Sequence, residues 1–433
     1  MPEFLTLLPP DEARALLLSH LPQPVTDSES IDVPSALGRV LAEDIHAPQP
    51  LPDFQRSTVD GYAVRAADTH GASDSLPAYL HLMGEVPMGD APAFEVGPGQ
   101  CALIHTGGML PDGTDAVVML EYTQHIVEAE SSRPEIEIFR AVAEGENVIR
   151  VGEDVARGQL IQPRGSLLRP AEIGGLMALG ITAVKVMRKV RIGLISTGDE
   201  VIDPARMPRP GQVRDVNSYT LNALIEKSGG MAKLYGIVSD EFAALKDAAA
   251  RALSECDAVI ITAGSSASTR DMTADVIRSL GAPGVLVHGI NTRPGKPTIL
   301  GVCDRKAVIG LPGNPVSALV NGYLFVVPVI EKLLGALPRP KATVLARLTV
   351  NLPSQAGRED WWPVKLTTES RSHGDLEAPS LRDSVVSKPE FLAEPIFGKS
   401  NLIFTLASAD GLLRIHPDAT GLSAGETVEV YLL

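Results

Sequence analysis

The sequence predicts a multidomain chain in which an α/β domain with a mostly parallel sheet is combined with β-rich parts. Apolar strand-like runs alternate with helical segments between about residues 189 and 337, which is typical of βαβ units. Short β-type runs separated by Pro- and Gly-rich turns occupy residues 51–150 and the tail from about residue 338. The length of 433 residues is enough for about three domains.

Composition and charge exclude several classes of protein. Hydrophobic residues make up 44% of the chain and charged residues 21%, which excludes a wholly disordered chain. Lys and Arg total 38 against 53 Asp and Glu, giving a net charge of −15. A nucleic acid or an anionic membrane is therefore not expected as the main partner. The acidic N-terminal stretch does not resemble a signal peptide, and the scattered Cys101, Cys256 and Cys303 are typical of reduced thiols, so we expect a cytoplasmic protein.

The first part of the chain predicts a helix, then a β-rich region. DEARALLLSHL has helical spacing, and the segment up to about residue 50 then alternates short apolar runs with turns. Residues 51–150 contain the β-type runs AYLHLMGEV, CALIHTGG, DAVVMLEYT and EIEIFRAV. Within this region Asp60-Gly61 predicts a turn. A hairpin-like piece and a helix follow, with Gly180 expected as the C-cap of that helix.

The central part of the chain alternates strands and helices. RIGLIST, AKLYGIV, DAVIITAG and GVLVHGI are predicted strands, and KPTILGVC and KAVIGLP a paired β unit. The predicted helices are NSYTLNALIEKSGG with Asn217 as N-cap, EFAALKDAAARALSEC, TRDMTADVIRSLG and the long NPVSALVNGYLFVVPVIEKLLG. The apolar run of the last helix is interrupted by Asn321, Pro328, Glu331 and Lys332. These interruptions favour a buried core helix over a membrane span, and the tail predicts a small barrel or sandwich.

Small, hydroxyl- and glycine-rich loops follow three of these strands, at residues 196–200, 262–271 and 311–317. Ligands bind at the carboxyl ends of strands in open parallel sheets, and backbone N–H groups before a helix bind phosphates. One such loop is more often a simple βα turn, but three at one sheet edge favour a binding site. The sequence lacks a Walker A motif, a GxGxxG after the first strand, a GxSxG elbow and an HExxH pair, which argues against the corresponding enzyme classes.

Charged residues beside these loops form two sets. Asp199, Glu200 and Asp271 are carboxylates next to the proposed phosphate sites, and Mg²⁺ prefers such oxygen ligands. Arg293 and Lys296 lie in the proline-rich turn NTRPGKPTIL and suit an oxyanion or a phosphate. A solvated surface charge or a helix cap is the alternative for each residue, and for Asp199 spacing alone favours neither interpretation.

The remaining motifs occur in a distinctive order. FQRSTVDGYA, HTGGMLPDGTDAVVMLE, VGEDV, STGDE, RDVNSYTL, RPGKPTILG and LPGNPVSAL follow one another along the chain. This series resembles the molybdopterin molybdenumtransferase (MoeA) family, related to the gephyrin E domain, in which the first two motifs read FDxSAMDGYA and TGAxxPxGADAVVxxE. The resemblance implies a linker domain at 1–50 and 151–188, an inserted β-rich domain at 51–150, an α/β molybdopterin-binding domain at 189–337 and a C-terminal β-barrel domain at 338–433.

The resemblance also implies a reaction. A homodimer with a shared active cleft takes adenylylated molybdopterin and molybdate, requires Mg²⁺ and releases AMP, and its implied protein partners are a pterin adenylyltransferase and molybdoenzyme acceptors. The implied catalytic carboxylates are Asp60, Asp154, Asp199, Glu200 and Asp271, of which the last three are the implied metal ligands. The implied substrate-binding residues are Ser57, Thr106, Thr197, Gly198, Gly264, Ser265, Ser266, Arg293, Lys296, Pro312, Gly313, Asn314, Pro315 and Ser317. The dithiolene of the pterin supplies the metal ligands, in agreement with the lack of a Cys or His cluster in the sequence.

Departures from the family pattern leave alternatives open. The usual SGGVSVG loop reads AGSSASTRD here, Gln55 replaces an Asp, Val59 replaces a Met, and Arg293 replaces the first Lys of KPGKP. These changes concern the metal preference and the placement of Asp271 more than the fold. The alternatives are a tungstate-preferring insertase, an adenylyltransferase or nucleotide-processing relative, and a non-catalytic pterin-binding carrier or scaffold. The additional domains and the VDGYA and RPGKP segments favour the insertase over the adenylyltransferase.

Overall fold

The structure, a computed structural model, describes residues 7–22, 24, 27–126, 134–263, 267–368 and 391–433, and for 267–271 the backbone alone. These residues form three six-stranded sheets and five two-stranded ones. One large sheet lies in the β-rich part, one in the α/β part and one in the C-terminal part. The predicted fold class is therefore confirmed, while the predicted domain boundaries stay a prediction.

The α/β part is built on a six-stranded sheet in which four neighbouring strands are parallel, the fifth is antiparallel to them and the edge strand is antiparallel to the fifth. In spatial order the strands are Gly230–Val238, Val190–Thr197, Ala258–Ala263, Lys306–Pro312, Ile299–Cys303 and Pro283–His288. The predicted paired β unit is the antiparallel pair of Ile299–Cys303 and Lys306–Pro312. Ala258–Ala263 is buried along its whole length, so both faces of the sheet are covered, as expected for parallel strands.

Helices cover the two faces of this sheet. Leu221 and Ile330 belong to one apolar cluster with Ile260, whereas Leu245 belongs to the opposite cluster with Ile261. Neighbouring residues of a strand point to opposite faces, which explains why Ile260 and Ile261 join different clusters. The helices are Asn217–Lys227, Phe242–Glu255, Ala267–Ser279, Pro315–Asn321 and Val327–Leu334.

The last two of these helices are continuous through a π-helical turn, Gly322–Val326. Asn314 occupies the N-cap position and Pro315 the first helical position, as the sequence predicted. The resulting helix, Pro315–Leu334, is long and apolar enough to cross a membrane, but 67% of its apolar window is buried inside the protein. Its packing against the sheet is that of a core helix. At its end Gly335 adopts a left-handed conformation with φ of 62°, which ends the helix.

The β-rich part contains the second large sheet. In spatial order its strands are Ala116–Met119, Gly61–Val64, Gln100–Ile104, Ala78–Glu85, Glu135–Ile138 and Thr123–Ile126. The turn predicted at Asp60-Gly61 is instead a bend that ends at Asp60, because Gly61 already pairs with Met119 and Ile104. A Cβ at Gly61 would lie 2.0 Å from the carbonyl oxygen of Val118, so this position requires glycine for close strand approach.

Segments on both sides of the β-rich part pair with each other. Ser28–Asp32 pairs with Ala183–Met187, and Ile45–His46 with Leu160–Gln162. The helix Pro170–Ala178 and the 3₁₀ turn Val33–Ala36 complete this linker, and Gly180 with φ of 73° follows the helix. The first helix, Pro10–Ser19, is different because its Ala13 and Leu17 pack in the core of the α/β part.

The C-terminal sheet is a closed five-stranded barrel with one additional strand. Around the barrel the strands are Glu359–Thr368, Phe391–Pro395, Thr343–Leu348, Thr427–Leu432 and Gly411–Ile415, and the first pairs again with the last. The additional strand, Thr292–Arg293, comes from the α/β part and pairs in parallel with Glu359–Asp360.

The remaining elements of the chain are short. They are 3₁₀ turns at Ala66–Thr69 and Leu120–Tyr122, the helix Phe404–Ala407, and the strands Arg56–Ser57, Val148–Ile149, Val201–Ile202, Val213–Arg214, Leu352–Pro353 and Gly421–Leu422.

An ion pair fixes the start of the first α/β strand. Nη1 and Nη2 of Arg188 donate to the carboxylate of Asp257 at 2.7 and 2.8 Å, and the backbone N–H of Arg191 donates to it at 2.8 Å. Burial raises the pKa of Asp257, but the hydrogen bonds from Arg188 and Arg191 together lower this pKa below its ordinary value of 3.8. The ionised form is therefore favoured by folding.

We expect Asp257→Asn to destabilise the chain at pH 7 by about 1–2 kcal/mol, since solvent partly screens the pair. Because the folded-state pKa of Asp257 is lowered, its contribution is complete above the unfolded-state pKa and is lost as pH falls through the folded-state pKa. The melting temperatures of variant and wild type should thus converge below about pH 3.8. Asp27→Asn, at the exposed partner of Arg188, is the control. A difference in melting temperature between Asp257→Asn and wild type that stays constant as the pH falls below about 3.8 would contradict the prediction.

Candidate functional site

Two adjoining pockets lie beside the loops that the sequence predicted as a binding site. The larger one, of about 710 Å³, lies between the α/β part and the barrel, and the smaller one, of about 540 Å³, lies over the ends of the parallel strands. They meet at Asn314 and Asn401, which line both. The first, named here the cation pocket, is lined by residues that include Arg293, Lys296, Pro312, Ser317, Arg358, Trp361, Trp362, Lys399 and Ser400. The second, the sheet-edge pocket, is lined by residues that include Ser196, Thr197, Glu200, Asp215, Asn217, Thr262, Gly313 and Pro315.

The cation pocket is positively charged. Its basic side chains are Arg293, Lys296, Arg358 and Lys399, and none of the described residues that line it is acidic. Arg358 is neutralised, because its Nε and Nη2 donate to the buried carboxylate of Asp360 at 2.7 and 2.9 Å. Within the described ranges the other three basic side chains form no ion pair. An oxyanion is the ligand that such a pocket favours.

The turn that carries Arg293 and Lys296 is clamped to the long core helix by Asn321. The fully buried Asn321 donates from Nδ2 to the carbonyl of Pro294 at 3.1 Å and to that of Ser317 at 2.8 Å. The side chain of Asn321 therefore holds the basic turn against the helix start that lines the same pocket. This contact constrains the turn in addition to its prolines.

Gly295 is expected to be intolerant of any side chain. Its φ is 108°, and a Cβ there would lie 1.7 Å from Nδ2 of Asn321. Gly295→Ala should therefore cost about 3 kcal/mol or more through backbone strain and displacement of Asn321. Gly158→Ala is the matched control, since Gly158 has φ of 79° but no atom within 4 Å of the position that a Cβ would occupy, and it should cost only about 1–2 kcal/mol. Equal losses of melting temperature in the two variants would contradict the role of the Asn321 contact.

A loop from the barrel completes the boundary between the pockets. The carbonyl of Ser400 accepts a hydrogen bond from the Val316 N–H at 3.0 Å, and its hydroxyl bonds to Nδ2 of Asn314 at 3.0 Å. The first N–H groups of a helix lack partners within the helix, so the barrel loop satisfies one of them. The neighbouring Asn401 lines both pockets. The cleft is therefore built jointly by the α/β part and the barrel.

The sheet-edge pocket contains buried polar atoms without a partner. Oγ1 of Thr197 and Oδ1 of Asn217 are buried and have no hydrogen-bond partner among the described residues. Such atoms are rare in folded proteins, which makes both side chains candidates for binding a polar ligand. Asn217 was predicted to cap its helix, but Oδ1 of Asp215 accepts the Ser218 N–H at 3.1 Å instead. Asn217 turns away and donates from Nδ2 to the carbonyl of Gly313 at 2.8 Å.

Of the two adjacent carboxylates Asp199 and Glu200, Glu200 lines the sheet-edge pocket and Asp199 does not. Glu200 is exposed and lines the pocket, and the exposed Asp199 accepts the Asp240 N–H at 3.3 Å. Gly198 has φ of 137°, a backbone conformation that favours glycine, and a Cβ there would lie 2.8 Å from Cγ2 of Val201. The backbone of this loop thus presents two adjacent carboxylates beside Thr197. Two carboxylates plus substrate phosphates form a suitable donor set for Mg²⁺.

A second group of predicted residues lies in the β-rich part. Oδ1 of Asp60 accepts the Thr106 N–H at 2.8 Å and its hydroxyl at 3.3 Å, and Nδ1 of His105 lies 3.6 Å away. These contacts, the Thr106 N–H first, lower the pKa of Asp60 below its ordinary value. Ser57 is buried and donates to the carbonyl of Val59 at 2.6 Å, so its hydroxyl stabilises the bend before Asp60. Asp60 is thereby held as an exposed, ionised carboxylate.

The structure does not bring all the predicted site residues together. None of Ser57, Asp60, Thr106 and Asp154 lines either pocket, and Asp154 is an exposed residue whose N–H donates to the carbonyl of Leu51. Gly264, Ser265 and Ser266 lie outside the described residues, and the side chain of Asp271 does too. Among the residues that the structure describes, no three His, Cys, Asp or Glu side chains form a metal-binding group.

Several pocket residues were not predicted from the sequence. They come mainly from the barrel and are Arg358, Trp361, Trp362, Lys399, Ser400 and Asn401, together with Asp215 and Asn217 from the α/β part. Basic and aromatic residues in GREDWWP and in GKSN were the available signal, but no local sequence pattern connects these two segments to residues 293–317.

The three cysteines are free and buried. Burial raises the pKa of Cys101 to about 12, so that thiol is unreactive.

Known proteins resemble the chain over its whole length. Family models match residues 8–180 as the MoeA N-terminal region (domain I and II), 193–332 as a probable molybdopterin binding domain and 345–433 as the MoeA C-terminal region (domain IV). A putative molybdopterin biosynthesis protein of Methanocaldococcus jannaschii is 35% identical, with 99% of this chain and 98% of that protein covered. A molybdopterin molybdenumtransferase of Haemophilus influenzae is 33% identical, with 97% of each chain covered.

Solved structures agree with the sequence relatives. The crystal structure of a molybdopterin biosynthesis MoeA protein from Pyrococcus horikoshii superposes with a TM-score of 0.81 at 32% identity, covering 99% of this chain and all of that one. A second structure of such a protein from this organism gives a TM-score of 0.75 at 36% identity, with 99% of each chain covered. Relatives of at least 30% identity over nearly the full length, with a matching fold, place this chain in the MoeA family of molybdenum cofactor biosynthesis.

Proposed function

We propose that the chain is a molybdopterin molybdenumtransferase, which inserts molybdenum from molybdate into adenylylated molybdopterin and releases AMP. The observation that carries this proposal is the junction of two different pockets at Asn314 and Asn401. One pocket is basic and free of lining carboxylates among the described residues, and the other is built from the ends of parallel strands. Such a combination suits an oxometalate and a phosphorylated pterin bound side by side.

The cation pocket is the proposed oxyanion site. Arg293 supplies a planar fork of donors and Lys296 a point charge, and neither forms an ion pair within the described ranges. Local cations concentrate a dianion even though the whole chain carries a charge of −15. Ser317 and Ser400 line the same pocket and add hydroxyl groups to it.

The sheet-edge pocket is the proposed site of the pterin and its phosphates. Thr197 and Asn217 offer oxygens that have no partner among the described residues, and pterin rings carry several N–H groups. The loop at 312–317 opens the long core helix, whose N-terminal end favours phosphate. Gly198, Pro312, Gly313 and Pro315 contribute through the backbone shape of these loops, and Gly264, Ser265 and Ser266 belong to the third loop of this proposed site.

The carboxylates complete the proposal. Asp199 and Glu200, with Asp271, are the proposed Mg²⁺ ligands, and the ion would neutralise the pyrophosphate as AMP leaves. The proposed enzyme is a cytoplasmic homodimer, in which Asp60, Thr106 and Asp154 of one subunit face the cleft of the other. This arrangement accounts for residues that line neither pocket of their own chain. In that position the ionised Asp60, fixed by Thr106, orients groups at the reacting phosphate.

The test is incubation of the purified chain with adenylylated molybdopterin, Mg²⁺ and either molybdate or tungstate. AMP release that depends on the oxyanion, with metal recovered on the pterin, is the expected result, and the faster oxyanion identifies the substrate. Pterin binding without AMP release under either oxyanion would support a carrier or scaffold instead. Formation of adenylylated pterin from ATP and unmodified pterin would identify an adenylyltransferase.

A further inference from the structure

We propose that Trp362 is the positioning residue of Arg293, and that this pair determines how tightly the cation pocket binds a tetrahedral dianion. The inference rests on the proposed function of that pocket. It concerns the position where this chain departs from the KPGKP pattern by carrying Arg293 in place of lysine. In the structure the guanidinium of Arg293 lies over the ring of Trp362.

Strand pairing brings the two side chains to the same place. Arg293 pairs in parallel with Asp360 across the strand that joins the α/β part to the barrel. Trp362 lies two residues beyond Asp360 and therefore on the same face of its strand. Diagonal neighbours of this kind are within reach of long side chains, and the guanidinium carbon of Arg293 lies 5.5 Å from the centre of the Trp362 ring. Both residues line the cation pocket.

The Trp362 ring is itself held in place. It packs edge-to-face against Phe397, with ring centres 5.6 Å apart and planes at 71°. Its strand is bonded on the other side to the strand Gly411–Ile415, where Trp362 pairs with Leu413. A guanidinium over a fixed aromatic ring loses less freedom when it binds a ligand than one that moves in solvent. Trp362 thus turns a flexible arginine into a preorganised donor.

The identity of Arg293 matters for the same reason. Only arginine presents two parallel N–H donors that match two oxygens of one anion, whereas a lysine acts as a point charge. The pocket already contains a point charge at Lys296. The structure therefore divides the roles, with Lys296 supplying attraction and the Arg293–Trp362 pair supplying geometry. A lysine at position 293 would add a second point charge but would not supply the paired donors of a guanidinium.

A double-mutant cycle tests this inference by calorimetric titration of the full chain with molybdate alone. Arg293→Lys should weaken binding about tenfold and Trp362→Leu about fivefold. The double variant should bind about as weakly as Arg293→Lys, not about fiftyfold more weakly than wild type, because the two residues act as a unit. Trp362→Phe keeps a ring under Arg293 and should bind nearly as wild type does, and it also serves if the leucine variant does not fold.

The controls separate this inference from the function on which it rests. Lys296→Ala should weaken molybdate binding in every background, and unchanged binding in that variant would overturn the oxyanion pocket itself. A different outcome is that Lys296→Ala binds molybdate weakly, while the double variant loses the product of the affinity losses of Arg293→Lys and Trp362→Leu. The oxyanion pocket would then be supported, and the positioning role of Trp362 would be wrong. A loss in Trp362→Phe as large as in Trp362→Leu would also overturn it, since the indole N–H rather than the ring would then be responsible.

Discussion

Asp60→Asn is expected to lower the rate of AMP release from adenylylated molybdopterin by about 10²–10³-fold, the usual loss when one preorganised polar group of an active site is removed. The substitution keeps the size of the side chain but removes its charge. The Thr106 N–H and hydroxyl, which both donate to Oδ1, would remain in place. Since the pKa of Asp60 is lowered, the wild-type carboxylate stays ionised throughout the neutral range, and the variant should be impaired at every pH tested.

The fold should not change in this variant, because Asp60 is exposed. Asp90→Asn is the matched control, since Asp90 is an exposed carboxylate of the same β-rich part whose side chain forms no hydrogen bond or ion pair with the residues that the structure describes. It should release AMP at the wild-type rate. Wild-type turnover by Asp60→Asn would remove Asp60 from the active site.

The parts of the site that lie on one continuous pattern were predictable from the sequence. Alternating strands and helices place residues 196–200 and 311–317 at the same edge of the sheet, because parallel strands end at a common edge. The structure brings Thr197, Glu200 and Asn314 to adjoining pockets at that edge. The antiparallel pairing of Ile299–Cys303 with Lys306–Pro312 was also visible, as a paired β unit. Local periodicity carries this information because it depends only on neighbouring residues.

The parts that depend on domain packing were not predictable. Trp362 and Ser400 reach the cleft only because the strand Thr292–Arg293 leaves the α/β part and joins the barrel. Asn321 looked like an interruption of an apolar helix, yet its amide holds the basic turn through the carbonyl of Pro294. Neither role leaves a local signal, since the partners are far away in sequence. Conversely, the family resemblance named Asp60, which lines neither of the two pockets described for the single chain.

Arg414→Ala is expected to destabilise the barrel by about 3–5 kcal/mol, the usual cost of leaving a buried charge without its partner. The carboxylate of Glu359, only 2% exposed, accepts Nη2 of Arg414 at 2.5 Å and Nε1 of Trp361 at 2.6 Å. Without Arg414 the charge would keep, among the described residues, the indole N–H as its side-chain partner. The same guanidinium also reaches Asp11 of the first helix at 3.0 Å, so the variant should loosen the contact between that helix and the barrel as well.

Fluorescence in urea measures this loss selectively, because the two tryptophans of the chain, Trp361 and Trp362, both lie in the barrel strand Glu359–Thr368. Lys185→Ala, followed by thermal melting of the whole chain alongside Arg414→Ala, is the control: its pair with Glu43 is more than half exposed on both sides and should contribute less than about 1 kcal/mol. Adding Glu359→Gln to Arg414→Ala should restore much of the stability, because the amide keeps an acceptor for the indole without a buried charge. If the double variant is as unstable as Arg414→Ala, lost packing of the arginine rather than the stranded charge is the cause, and the electrostatic explanation fails.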